Sequence, residues 1–257
     1  MRLKKNVRMT LLYLAFVVIG VAMVFPFIWM IATSFKTGTD IYSLSLLPKK
    51  FTLDNYREVL AGSDFPRWFL NSFLVAGIMT LSVLVFDPLL GYAFCKYHFR
   101  GKEAIFTMLL STMMIPTEMM IISWYMMVNQ LGWNNTYWFM LFPGLSSAFG
   151  IFLMRQFFTG VPDELLDAGR IDGLSEFGVY TRIALPLVTP ALSALGIFTF
   201  LGNWNSFLWP VIALDSKEKY TITLGLAQFS AENDHDRCVG GNYPHHHHFP
   251  DLPEKDH

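Results

Sequence analysis

Apolar residues in this chain gather in long runs separated by short polar segments, and no soluble-type repeat is superimposed on them. The runs cover about residues 11–33, 68–94, 104–128, 137–158 and 187–213. At about 1.5 Å per residue the first reaches roughly 34 Å, enough for a bilayer core of about 30 Å. Lipid offers no partner to backbone groups left outside a helix or closed barrel, so each run is expected to be a membrane-crossing helix. The predicted fold class is all-α integral membrane: a polytopic helical bundle in a single domain over 1–233, with five transmembrane helices present.

Charge gives the bundle a direction. Arg2, Lys4, Lys5 and Arg8 precede the first run, which is too long for a secretory signal core and has no small-residue cleavage site after it. They place the N-terminus in the cytoplasm. Lys96, Arg100 and Lys102 in "CKYHFRGKE" then fall inside, and "NQLGWNNT", without Lys or Arg, falls outside. The first outer loop opposes the trend with Lys36, Lys49, Lys50, Arg57 and Arg67 nearby. Composition agrees with a membrane location: only 15% of residues are charged, against about 25% in soluble domains, and mean hydropathy is +0.38. A net charge near zero gives no reason to expect a nucleic-acid partner.

The segment 159–186 breaks the apolar pattern on the cytoplasmic side. Pro162, Asp163 and Glu164 suit a helix start, because proline tolerates the first turn and acids favour the positive end of the helix dipole. Gly173 suits a turn with positive φ. Ser175 suits the cap of a second short helix, on which Phe177, Tyr180 and Ala184 share a face, and Pro186 is placed to open the next span. Physics alone leaves two roles open: an amphipathic connector resting among headgroups, or a rigid elbow presented to another protein.

The spacing in this elbow resembles the cytoplasmic signature of binding-protein-dependent ABC importer permeases, with a MetI-like transmembrane domain. That signature is Glu-Ala-Ala, three residues, Gly, nine residues, Ile, one residue, Leu-Pro. Asp167, Ala168, Gly169, Gly173, Ile183, Leu185 and Pro186 stand at those spacings, with Asp167 in place of Glu and Gly169 in place of the second Ala. Glycine there costs about 1 kcal/mol relative to alanine inside a helix, so a softer coupling helix is expected. "FTLDNYREVL", "WFLNSFLVAG", "GYAFCKYHFRGK", "MMIP" and "FLGNWNSFLWP" resemble the carbohydrate branch, like the second permease of maltose-type systems.

The resemblance implies a subunit of a bacterial cytoplasmic-membrane importer that moves a sugar of the oligosaccharide class by alternating access. Its implied partners are a homologous permease, a dimer of ATP-binding ATPases, an extracellular sugar-binding protein and membrane lipid. ATP and Mg²⁺ would sit on the ATPases, leaving no cofactor on this chain. Glu164, Asp167, Ala168, Gly169, Asp172, Gly173, Ile183, Leu185 and Pro186 become the residues of ATPase coupling. The competing classes are a secondary transporter or channel without an ATPase, and an inactive truncated permease.

Enzyme chemistry finds no footing. The nearest fragment to a phosphate-binding loop is Gly101-Lys102-Glu103, there is no H-E-x-x-H, and no histidine falls in a predicted span. Cys95 and Cys238 are too far apart in sequence to read as a metal or redox motif. The methionines of "STMMIPTEMMIISWYMM" lack paired Cys or His and read as adaptable packing, so no metal site is expected. Polar groups within the spans carry two readings each. Asn71, Ser72, Asn203, Trp204 and Asn205 suit either a sugar pathway or helix packing, with Gly202 and Ser206 as a small-residue pair. Asp87, beside Pro88, is either functional or a carboxylate turned to the bundle interior.

The end of the chain departs from the resemblance. A sixth apolar span is expected after "LGLAQFSAEND", whereas residues 234–257 are polar and include His245 to His248. That histidine run suits a metal tract or a purification tag, but histidine codons begin with CA, so a one-base shift converts them to isoleucine or threonine codons. The tail is therefore read as a frameshift product that has replaced the sixth span, and no metal site is assigned to it. The gene tests this: the shifted frame from about codon 234 is expected to encode an apolar run ending in basic residues, and a polar run there would refute it.

Overall fold

The computed structural model describes residues 2–43 and 45–239, and every regular element among them is a helix. The chain forms two compact units that meet in sequence at Pro66.

The first unit holds α1 (Arg2–Ser34) and α2 (Asp54–Ala61). Past α1 the chain folds around Lys36, which is fully buried. Its ammonium donates to Ser45 O at 2.6 Å and Ser43 O at 3.2 Å, and it lies 4.9 Å from the ring centre of Trp29. Asn55 donates to Ser34 O at 2.9 Å and Lys36 O at 2.8 Å, serving carbonyls that the end of α1 leaves without helical partners. Phe35 stacks on Phe51 at 4.7 Å. What reads in sequence as a polar loop is thus a small folded cap.

The second unit begins with most of α3 (Phe65–Lys96), a 32-residue rod about 48 Å long. Next come α4 (Lys102–Thr112) and α5 (Ile121–Gln130), then α6 (Trp138–Leu141) and α7 (Ala148–Thr159). The elbow contains α8 (Asp163–Ile171) and α9 (Glu176–Val179), and α9 continues through a π-turn into α10 (Leu185–Leu187). The unit closes with α11 (Thr189–Trp204), α12 (Leu208–Ala213) and α13 (Ile222–Val239).

Three expected spans are broken helices. The run 104–128 bends by 86° at Pro116, which cannot donate a helical hydrogen bond. The run 137–158 is interrupted at Pro143 and Gly144, between α6 and α7. The last span starts at Thr189 and not at Pro186, after a 79° bend at Val188, and 187–213 contains a second break between α11 and α12. Among the described residues, two helices are long and apolar enough to cross a membrane, and two bent pairs pass the same test when joined. Helix α13 continues past residue 233 to Val239, while residues 240–257, including the histidine run, lie outside the described residues.

A buried cluster joins the elbow to the rods: Val83 and Tyr92 of α3, Met154 and Phe158 of α7, Leu166 of α8, and Val179, Tyr180 and Ala184. Tyr92 lies 5.2 Å from the rings of both Phe158 and Tyr180. Asp87 is fully buried in α3 and faces the start of α7. Its carboxylate accepts from Ser146 Oγ at 2.6 Å, Ser147 Oγ at 2.7 Å and Ser147 N at 3.1 Å. Gly150 makes room for it, because a Cβ there would overlap the carboxylate. The interior-facing reading of Asp87 describes this arrangement: it caps another helix across the bundle.

Removing that carboxylate strands two hydroxyls and a backbone N–H. Asp87→Ala is expected to destabilise the protein by about 1–3 kcal/mol, and Asp87→Asn by less because an acceptor remains. Thermal melts in detergent check the order of the two.

Candidate functional site

Residues 161–187 form a braced elbow. At its entry the Lys96 ammonium, at the end of α3, donates to Val161 O at 2.6 Å and to the Asp163 carboxylate at 2.7 Å. Lysine beside it holds the Asp163 carboxyl below its ordinary range. Pro162 is extended and stands just before α8, so Asp163 and Glu164 form the first turn. Helix α8 ends at Gly173, whose φ of +85° is left-handed. Leu174 N donates to Gly169 O at 3.0 Å and Gly173 N to Arg170 O at 3.1 Å, the paired bonds of a Schellman ending. Ser175 then caps α9, accepting from Gly178 N at 3.2 Å.

Arg170 fixes the angle between the two helices. Its guanidinium donates to both Glu176 oxygens, at 2.8 and 3.0 Å, and to Asp167 at 2.6 Å. These bonds raise its pKa further. Tyr97 Oη donates to the same Glu176 at 3.0 Å. Forked pairing of arginine with a carboxylate sets orientation as well as distance. Neither Arg170 nor Tyr97 was singled out in the sequence; the three-residue spacing of Asp167 and Arg170 was the available signal.

The signature residues divide between two faces. Glu164, Asp167, Ala168, Asp172 and Gly173 are exposed, as is Pro186. Gly169 is buried, and Ile183 and Leu185 pack against the cluster that joins the elbow to α3 and α7. Ile183 Cδ1 occupies the place where a side chain on Gly169 would begin, so this glycine sits beneath α9 rather than on the outer face. Phe177 does not join Tyr180 and Ala184 in the interior. It is 68% exposed, and Leu165 (46%) and Ile171 (85%) of the elbow are exposed as well.

At the other end of α3 lies a cavity of about 190 Å³, lined by residues of α3, α6, α11 and α12, by Pro143, Gly144 and Ser206 in the breaks between helices, and by Thr117 and Thr221. Ser72 and Asn203 line it, whereas Asn71, Trp204 and Asn205 are not among its lining residues. Asn71 donates to Glu218 O at 2.9 Å and Tyr220 O at 3.0 Å, which holds the turn before α13. Trp204 packs on Phe69 and Phe200. Asn205 donates back to Leu201 O. A Cβ added at Gly202 would meet no atom of the described residues within 4 Å.

Asn135 escaped the sequence reading. With φ +53° it clasps the segment before α13: its N–H donates to Ala213 O at 2.9 Å, its O accepts from Lys219 Nζ at 2.7 Å, and its Nδ2 donates to Ser216 Oγ at 2.6 Å.

Apolar rods joined to a braced elbow are the architecture of a membrane-embedded helical protein. Residues 88–233 match the family described as binding-protein-dependent transport system inner membrane component, and the chain belongs to it. It is 33% identical over 239 residues to the arabinooligosaccharides transport system permease protein AraQ of Halalkalibacterium halodurans, covering 90% of this chain and 86% of that one. It is 33% identical over 208 residues to the lactose transport system permease protein LacG of Rhizobium radiobacter, covering 81% and 76%. Its fold resembles a chain in the crystal structure of a bacterial ABC transporter involved in the import of the acidic polysaccharide alginate, with a TM-score of 0.77 and 22% identity over 90% of this chain and 82% of that chain.

The left-handed turn at Gly173 sets the elbow's shape. Gly173→Ala is expected to cost about 1 kcal/mol through the left-handed backbone, seen as a lower melting temperature and faster proteolysis between α8 and α9.

Proposed function

We propose that this chain is one permease subunit of an ABC importer in a bacterial cytoplasmic membrane, with its N-terminus in the cytoplasm, and that it carries an oligosaccharide by alternating access. A homologous permease completes the pathway, an extracellular sugar-binding protein delivers the substrate, and a pair of ATPases holds ATP and Mg²⁺. The family supports the importer class, and the names of the relatives support a sugar cargo.

The observation that carries this reading is the exposure of Leu165, Ile171 and Phe177 on an elbow whose two helices are locked by Arg170 and Glu176. Exposed apolar side chains on a rigid support suit a protein cleft, and here the partner is the ATPase. Motion of the elbow is passed to α3 and α7 through Lys96 and through the cluster beneath α8.

Cysteines placed at Ile171 and Phe177 are expected to cross-link to the ATPase in membranes containing the full complex. Ile171→Asp removes burial of about 2 kcal/mol and is expected to weaken ATPase association by roughly 30-fold. Cross-links to lipid alone, with normal uptake by Ile171→Asp, would refute the ATPase reading.

A further inference from the structure

We propose that the cavity along α3 is a binding site on this subunit for one ring of an uncharged sugar. The proposal rests on the importer reading above and adds to it the place and the chemical class of the cargo.

The lining has the composition that such a ring requires. Ser72, Thr117, Asn203, Ser206 and Thr221 bring hydroxyls and an amide, Trp209 brings an aromatic ring, and the other lining residues are apolar or glycine. No Asp, Glu, Lys, Arg or His lines it. Its roughly 190 Å³ equals about six waters at some 30 Å³ each, room for one sugar ring and too little for a drug-sized ligand.

Several of the polar atoms have bonding capacity left over. Asn203 Nδ2 is committed to Thr199 O at 2.8 Å, which leaves its Oδ1 to accept. Ser72 Oγ accepts from Ile222 N at 2.7 Å, which leaves its O–H to donate. A sugar hydroxyl both donates and accepts, so it can meet each of these. Trp209, held 5.7 Å from Phe139, supplies apolar surface for the C–H face of the ring. An ionised uronate in the same place would lose its water and find no cation, a heavy cost for a buried charge. The lining therefore selects a neutral ring over an acidic one, although the fold is shared with a transporter for an acidic polysaccharide.

The test uses the complete complex in proteoliposomes with its binding protein and ATP, and labelled arabinotriose, lactose and maltotriose as probes. Asn203→Ala and Trp209→Ala are expected to raise the KM for the transported sugar at least ten-fold, with ATP hydrolysis at saturating sugar within two-fold of the unaltered complex. Trp209→Phe is expected to restore most of the KM, which separates ring recognition from a folding defect. A KM unchanged by both alanine variants, or hydrolysis lost along with uptake, overturns the site. Saturation-transfer NMR on the solubilised complex without binding protein reads selectivity: the transported neutral sugar gives a signal that Trp209→Ala abolishes, and a trigalacturonate signal of equal strength overturns the neutral class. If ATP drives uptake of none of the probes while the complex assembles, the sugar-importer reading itself fails.

Discussion

A helix end inside lipid has no water to satisfy its backbone groups, and the architecture of the second unit follows from that constraint. This chain breaks its helices repeatedly, and side chains serve several of the freed groups. Between α6 and α7, Ser82 donates to Leu145 O at 2.6 Å while Asp87 accepts from Ser147 N at 3.1 Å. Pro190 cannot donate to Pro186 O, and Thr189 Oγ1 does so at 2.7 Å. Thr223 Oγ1 serves Ser206 O in the break between α11 and α12. The breaks are thus fixed joints as well as bends.

Helix α3 gains a special position from these joints. Lys96 ties its C-terminal end to the elbow, Asp87 ties its middle to α7, and Trp68, Asn71 and Ser72 hold the segment leading into α13. Ser72, Val75 and Met79 of the same helix line the cavity. Ser72 and Lys96 are 24 positions apart, roughly 36 Å along an unbroken helix. A displacement at the elbow therefore has a covalent, hydrogen-bonded path to the cavity. The Arg170 brace keeps the elbow from absorbing that displacement by changing its own angle.

Much of the elbow was legible in sequence because its determinants are local. Asp163 and Glu164 at a helix start, glycine at the left-handed ending and Ser175 as a cap each act within a few residues. The direction of each signature side chain was not legible. Gly169 and Asp167 are two positions apart, yet one lies beneath α9 and the other in solvent, because the packing of α9 and the π-turn decides which face is covered. Helix continuity was also misjudged. Pro116, Pro143 and Pro190 were visible in apolar runs, but hydropathy measures length in lipid and takes no account of bends.

The sequence by itself determined that this chain is a membrane helix protein with one polar elbow, because apolar run length and short-range capping are properties of consecutive residues. Tertiary structure decided the rest. Asp87 could be read as functional or interior until Ser146 and Ser147, about sixty positions away, were placed against it. Asn71 and Ser72 are neighbours that looked alike, yet one braces the turn before α13 and the other lines the cavity. Cavity lining and cross-bundle caps depend on contacts between distant segments, and no local pattern encodes which distant carbonyl a side chain will meet.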